Sequence, residues 1–312
     1  MSRPRLAKRN GSPRELPPAL FCGQVRVRQQ IGLNPEFAAE LKHHSSGSTL
    51  IIGDTRKALI HFPDGCFQCC VTSPPYWSLR NYHIDGQIGL EPSLDDYIRS
   101  LKDIFAQVFR VVRDDGTLWL NLGDSYTSGG RRWRAPDKKN PVRAMNVRPP
   151  TPAGLKPKDL IGVPWRLAFA LQEIGWYLRA DIIWNKPNCQ PESVKDRPTR
   201  CHEYLFLFSK NDRYVYDCTA VRGPNGRNLR TVWDINTRAY RDAHFATFPP
   251  QLVQRCIELS TRDGDLVLDP FIGSGTTGVV ALNLDRRFVG IELNPDYIRI
   301  AEKRLNGAVL RA

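Results

Sequence analysis

The segment VLDPFIGSGTTG, residues 267–278, limits the fold of this 312-residue chain more than any other stretch. An apolar strand pattern runs into a Gly-rich turn, and a helical pattern follows. Glycines 273, 275 and 278 satisfy the spacing of a nucleotide-binding turn, and Glu292 closes the next apolar run 23 residues after Asp269. An acid there can accept from both hydroxyls of a ribose. A dinucleotide fold beginning at this strand needs several more strands downstream. Only 20 residues follow Glu292, and they read as one helix. The remaining strands must come from upstream, so the sheet is circularly permuted, its nominal first strand late in the chain.

The upstream sequence supplies those strands. Short β-rich runs at 49–53, 67–72, 117–122, 178–184 and 204–208 alternate with helical patterns at 94–112 and 165–174. A helix at 250–259, a strand at 266–268, a helix at 276–284, a strand at 288–291 and a last helix opened by Asn294 and Pro295 follow. This alternation predicts an α/β fold with a mostly parallel twisted sheet flanked by helices. Residues 1–45 read as a flexible basic tail, with one helix around 34–43. Residues 46–312 read as a single catalytic domain.

Charge is unevenly spread along the chain. The net charge is +13. Between Arg131 and Lys158 stand nine Lys/Arg and one acid; between Thr219 and Arg241 stand five Arg and one acid. From Asp242 onward eight basic residues meet nine acids, so the excess belongs to particular segments. Both basic segments fall in Pro- and Gly-rich stretches, about 125–160 and 219–243, which read as inserted loops. Such loops fit an anionic partner. Arg131, Arg132, Trp133, Lys138, Lys139, Arg227 and Arg230 are the candidate nucleic-acid contacts. The apolar runs are strand-sized, too short to span a membrane, and the N-terminus lacks a secretory core. Cys69 and Cys70 fall inside the strand FQCCV. No second cysteine pair stands at metal-ligand spacing, so these read as buried, reduced thiols of a cytoplasmic protein, with no metal.

Two sites emerge. Asp269 places a carboxylate where a ligand ammonium is welcome and a pyrophosphate is not. S-adenosyl-L-methionine carries both a ribose and an ammonium, whereas NAD answers only to the glycines and Glu292. The second site is TSPPYW, residues 72–77, directly after a strand. Two prolines end the strand and stiffen the turn, because each fixes φ and neither donates a hydrogen bond. Ser73 and a backbone carbonyl can accept from the two N–H bonds of an exocyclic amine. Tyr76 and Trp77 offer ring faces to a flat base.

TSPPYW followed by the late DPFIGSGTT resembles the amino-methyltransferases of DNA in their β-type motif order. The resemblance covers about residues 48–305. GD at 53–54, LWLNLGDSY (118–126), GWYLRADIIWNKPN (175–188), RCHEYLFLFSK (200–210) and HFATFP (244–249) match as well. It implies a Rossmann-like methyltransferase fold, S-adenosyl-L-methionine as cofactor and double-stranded DNA as partner, and it admits a cognate restriction endonuclease. It implies a cofactor site of Asp54, His244, Phe245, Asp269, Pro270, Phe271, Gly273, Ser274, Gly275, Thr276, Thr277 and Glu292. The catalytic turn is Ser73, Pro74, Pro75 and Tyr76, with Trp77 beside it toward DNA. Ser at the first position of the turn is typical of enzymes acting on N4 of cytosine, and Asp or Asn of those acting on N6 of adenine. Adenine remains the alternative, as does an inert nucleic-acid-binding module. The intact set Ser73, Tyr76, Gly273 and Glu292 favours catalysis. Carbon-5 methylation needs a Pro-Cys turn, and PNCQ at 187–190 places Asn188 between the two.

Overall fold

The runs FQCCVT and LVLD have no polar face, and strands of that kind must be covered on both sides. A computed structural model of the chain, describing residues 25–30, 33, 37, 41, 47–128, 149–237 and 248–309, puts them side by side inside one sheet. Among the described residues the strands are β1 (Val25–Gln29), β2 (Ser48–Ile52), β3 (Phe67–Thr72), β4 (Val112–Leu122), β5 (Tyr177–Asn185), β6 (His202–Ser209), β7 (Val232–Asp234), β8 (Leu266–Asp269) and β9 (Arg287–Glu292). Their spatial order is β1-β2-β9-β8-β3-β4-β6-β5-β7. Every residue of β3 and β8 is buried. All neighbouring pairs are parallel except β6 with β4 and with β5. The late strands β8 and β9 lie between β2 and β3, so the sheet is permuted as expected.

Helices cover both faces. On one face α1 (Leu94–Val111) and α2 (Val163–Glu173) pack over the sheet. Helix α1 starts where the Ser93 hydroxyl accepts from the Asp96 N–H at 3.1 Å, with Asp95 and Asp96 in its first turn. Both features favour a helix start. Its buried stripe, Leu94, Tyr97, Leu101, Ile104, Phe105, Val108 and Val111, follows the helical period. On the other face lie α3 (Pro250–Ser260), α4 (Thr276–Asn283) and α5 (Pro295–Val309). No helix among the described residues is long and apolar enough to cross a membrane.

Two expectations need correction. The tail ends earlier than residue 45: Val25–Gln29 pair with β2 as an edge strand, and Phe37 and Leu41 are buried. The second basic segment is not loop throughout, because Val232–Asp234 pair with β5. Cys69 and Cys70 are free and buried in β3, and Cys189 and Cys201 are joined as a disulfide. The fold then fixes the site. The C-terminal ends of β2, β9, β8, β3, β4 and β5 and the start of antiparallel β6 all meet at one edge, where ligands of open α/β sheets bind.

Candidate active site

A cavity of about 330 Å³ opens at this edge, within the size range of small-molecule sites. Its first wall comes from β2 and β9. Ile52 lies opposite Glu292, and the Gly53 N–H donates to the Glu292 carbonyl at 2.9 Å. Asp54 and Glu292, 238 positions apart in sequence, therefore line one cavity. The Glu292 carboxylate accepts from the N–H groups of Gly273 (3.0 Å) and Asn294 (2.9 Å). Burial nevertheless pushes its carboxyl up to about 7. Asp54 caps the helical turn Thr55–Ala58 and is ion-paired with Arg56 at 2.6 Å.

Residues on this wall fit a nucleoside. The Thr55 hydroxyl oxygen is buried beside the cavity with no hydrogen-bond partner among the described residues. Gly273, at φ 51°, has open space where a side chain would stand, so a ligand can approach its backbone. Pro270, Phe271, Ser274 and Thr276 line the same wall. Among the described residues no group of three or more His, Cys, Asp or Glu could hold a metal ion.

Asp269, Gly275 and Thr277 sit behind the wall, not on it. Asp269 is buried, and its carboxylate accepts from the Thr72 hydroxyl (2.7 Å), the Thr277 hydroxyl (2.6 Å) and the Phe271 N–H (3.0 Å). It clamps the end of β3 to the Gly-rich turn across 197 positions of sequence. Gly275 faces α5: a Cβ there would meet the Ala301 Cβ at 2.9 Å. Burial raises the Asp269 carboxyl from 3.8 to about 6, and the three donors pull it back down. The native state therefore holds this proton more tightly than the unfolded chain, and stability falls as pH rises through that window. Thr277→Val removes one donor from a buried acceptor. It is expected to cost about 1–3 kcal/mol and raise the Asp269 carboxyl further. Urea unfolding at neutral pH checks this; unchanged stability would show the clamp to be dispensable.

The second wall is the turn Ser73–Tyr76. The Tyr97 hydroxyl donates to the Pro75 carbonyl at 2.8 Å, tying the turn to α1. The Tyr76 ring lies against Gly123 after β4, where a Cβ would come within 2.8 Å of it. The Tyr76 hydroxyl donates to Glu203 at 2.8 Å, and the Ser73 hydroxyl donates to the Tyr76 oxygen at 3.5 Å. Lys186 donates to the other Glu203 oxygen. Burial first, and then the Glu203 charge, raise the Tyr76 phenol well above its ordinary value. Trp77 does not join this wall. It is 5% exposed and packs in the core with its indole N–H on the Glu91 carbonyl at 3.1 Å, so it offers no ring to a base.

Sequence reasoning gave no role to Asn121, Lys186 or Glu203, and all three line the cavity. The signal was a charge at each end of an apolar strand run, WNKP and CHEY. Tyr82 and Tyr297, which also line it, meet edge-to-face at 6.0 Å. Arg227 and Arg230 are exposed and lie outside the cavity lining. Arg131, Arg132, Trp133, Lys138, Lys139, His244 and Phe245 lie outside the described residues. Thr237 and Phe248, which flank the stretch holding His244 and Phe245, both line the cavity.

Comparison with known proteins agrees with this geometry. The chain is 61% identical over 266 residues to the type II methyltransferase M.Cfr9I of Citrobacter freundii, covering 84% of this chain and 89% of that one. It is 60% identical over 262 residues to the type II methyltransferase M.SmaI of Serratia marcescens, covering 82% and 90%. The solved structure of TTHA0409 from Thermus thermophilus, complexed with S-adenosyl-L-methionine, superposes with a TM-score of 0.60 at 25% identity, over 83% of this chain and 93% of that one. The PvuII DNA methyltransferase (cytosine-N4-specific) shares the fold at 21% identity, with a TM-score of 0.63 over 85% and 92%. The N6/N4 methyltransferase family, described as DNA methylase, matches residues 67–303, and this chain belongs to that family.

Proposed function

We propose that the chain is a type II modification enzyme that methylates N4 of cytosine in double-stranded DNA, with S-adenosyl-L-methionine as methyl donor. Bound at the β2–β9–β8 wall, S-adenosyl-L-methionine supplies a methyl group on a positively charged sulfur. Glu292 accepts from the ribose hydroxyls. Asp54 and Phe271 hold the adenine end, and Gly273 lets the backbone come close. The target base leaves the duplex stack, because its amine cannot otherwise reach the cavity. Ser73 and a turn carbonyl accept from its N–H bonds, which favours a pyramidal nitrogen with a free lone pair. The Tyr76 ring packs on the base face. Positioning and electrostatics do the rest. Phosphate contacts come from the basic segments, Arg131, Arg132, Lys138, Lys139, Arg227 and Arg230 among them.

The observation that supports cytosine is Ser73 at the first position of the turn, on the cavity wall. Nucleoside mass spectrometry of duplex DNA after incubation with protein and S-adenosyl-L-methionine is expected to yield N4-methylcytosine. N6-methyladenine alone would overturn the base and keep the reaction class; 5-methylcytosine would overturn the mechanism.

A further inference from the structure

An ion pair stands beside the catalytic turn with no task in amine binding or cofactor binding. Lys186 follows β5 and Glu203 lies near the start of β6, brought together because Trp184 pairs with Glu203 across the two strands. Both line the cavity, with side chains 17% and 19% exposed. Lys186 stands 4.3 Å from the Trp184 ring and donates to one Glu203 oxygen. The other oxygen accepts from the Tyr76 hydroxyl at 2.8 Å, whose oxygen accepts from the Ser73 hydroxyl at 3.5 Å. A directed series of O–H donors thus runs from the hydroxyl that meets the amine to a carboxylate. The other acids of the cavity are engaged elsewhere: Glu292 with the Gly273 and Asn294 N–H groups, and Asp54 with Arg56. Asp269, behind the wall, accepts from two threonines and Phe271.

We propose that Glu203 receives the proton released in methyl transfer, through Tyr76 and Ser73, and that Lys186 holds its carboxylate in place. This rests on amine methylation at this turn and holds for either base. The lone pair of the amine nitrogen forms the new N–CH₃ bond as the S–CH₃ bond breaks, and the electron pair of the broken bond stays on sulfur. The nitrogen is left with a positive charge and a strongly acidic N–H. Its proton moves to the Ser73 oxygen, the Ser73 proton to the Tyr76 oxygen, and the Tyr76 proton to Glu203. One proton leaves nitrogen, one arrives at the carboxylate, and both hydroxyls are restored. Water takes the proton from Glu203 after product leaves. Lys186 anchors one Glu203 oxygen, so that the other faces the Tyr76 hydroxyl. Acting through Tyr76, Glu203 is a positioning residue. The groups facing it are Tyr76 from the turn, Lys186 from the end of β5, and His202 beside it on β6, with Asp124 and Arg200 beyond. Burial, and then Arg200 and Lys186, lower the His202 imidazole.

The experiment is single-turnover methylation of unmodified plasmid DNA at saturating tritiated S-adenosyl-L-methionine and neutral pH. Melting temperature and calorimetric cofactor affinity are measured alongside. Glu203→Gln, which keeps the shape but takes no proton, is expected to run about 100-fold slower with cofactor affinity unchanged. Tyr76→Phe, which keeps the ring and breaks the relay, is expected to lose about as much, and the double variant no more than either alone, because the groups act as one unit. A Glu203→Gln loss below about tenfold, or losses that multiply in the double variant, overturns the proposal. If Glu203→Gln does not fold, Tyr76→Phe decides, and a near-native rate overturns it. A wild-type enzyme that methylates no base amine would instead overturn the reading of the site.

Discussion

Tyr76→Ala is expected to slow methyl transfer by about 100- to 1000-fold while leaving cofactor affinity within about threefold. Two losses combine. Stacking of a base on an aromatic ring is worth roughly 1–3 kcal/mol, which alone is about 5- to 150-fold. The hydroxyl that links Ser73 to Glu203 also disappears. Cofactor affinity is expected to be spared because the wall proposed to hold the nucleoside is built on β2, β9 and the Gly-rich turn, not on Tyr76. Removing a large ring from a packed position also destabilises, by up to about 3–5 kcal/mol where burial is complete. Tyr76→Phe is therefore measured beside it, since it keeps the ring and loses only the hydroxyl. Rapid-quench single-turnover rates give the answer. If Tyr76→Ala keeps near-native rates, TSPPYW is a structural turn and the base binds elsewhere.

The sheet was largely legible because its central strands carry long apolar runs and its helices a clear period. FQCCVT and helix α1 lie where the sequence puts a strand and a helical pattern. The permutation was legible from the order of TSPPYW and the late Gly-rich turn. The edges were not. VRVRQ alternates charge with small apolar residues and has no fully buried member, so nothing in its pattern separates it from a solvated tail. VWD is too short to carry a period. Asp269 shows a different limit. An acid at a strand end reads the same whether it points into a cavity or back into the core, and only the approach of Thr72 and Thr277 decides. Trp77 is similar: a ring beside a catalytic turn can face either way, and the nearby Glu91 carbonyl draws its N–H inward. Lys186 lies just past the end of β5, and Glu203 sits on β6. Their meeting depends on the β5–β6 register, which neither local run encodes by itself.

Glu292→Gln is expected to weaken S-adenosyl-L-methionine binding by about 100-fold or more and to flatten the pH dependence of binding, without changing DNA affinity. Hydrogen bonds to a charged acceptor are worth about 1.5–3 kcal/mol each, and two ribose hydroxyls would lose that charge. The pH effect follows from the raised carboxyl. Burial holds Glu292 at about 7 in the free protein, against an ordinary value of 4.5. Between those values the native state holds a proton that the unfolded chain releases, so stability of the free protein falls as pH rises through the window. The cofactor works against this, because two hydroxyl donors favour the ionised acid and lower its proton affinity. Binding therefore releases a proton at pH below about 7, and affinity weakens by about tenfold for each further unit of acidity. Titration calorimetry in buffers of different ionisation enthalpy measures that proton directly at about pH 6, and Glu292→Gln is expected to release none. Proton release identical in the two proteins, or unchanged affinity in the variant, would remove Glu292 from the nucleoside site and leave its bonds to Gly273 and Asn294 as turn structure alone.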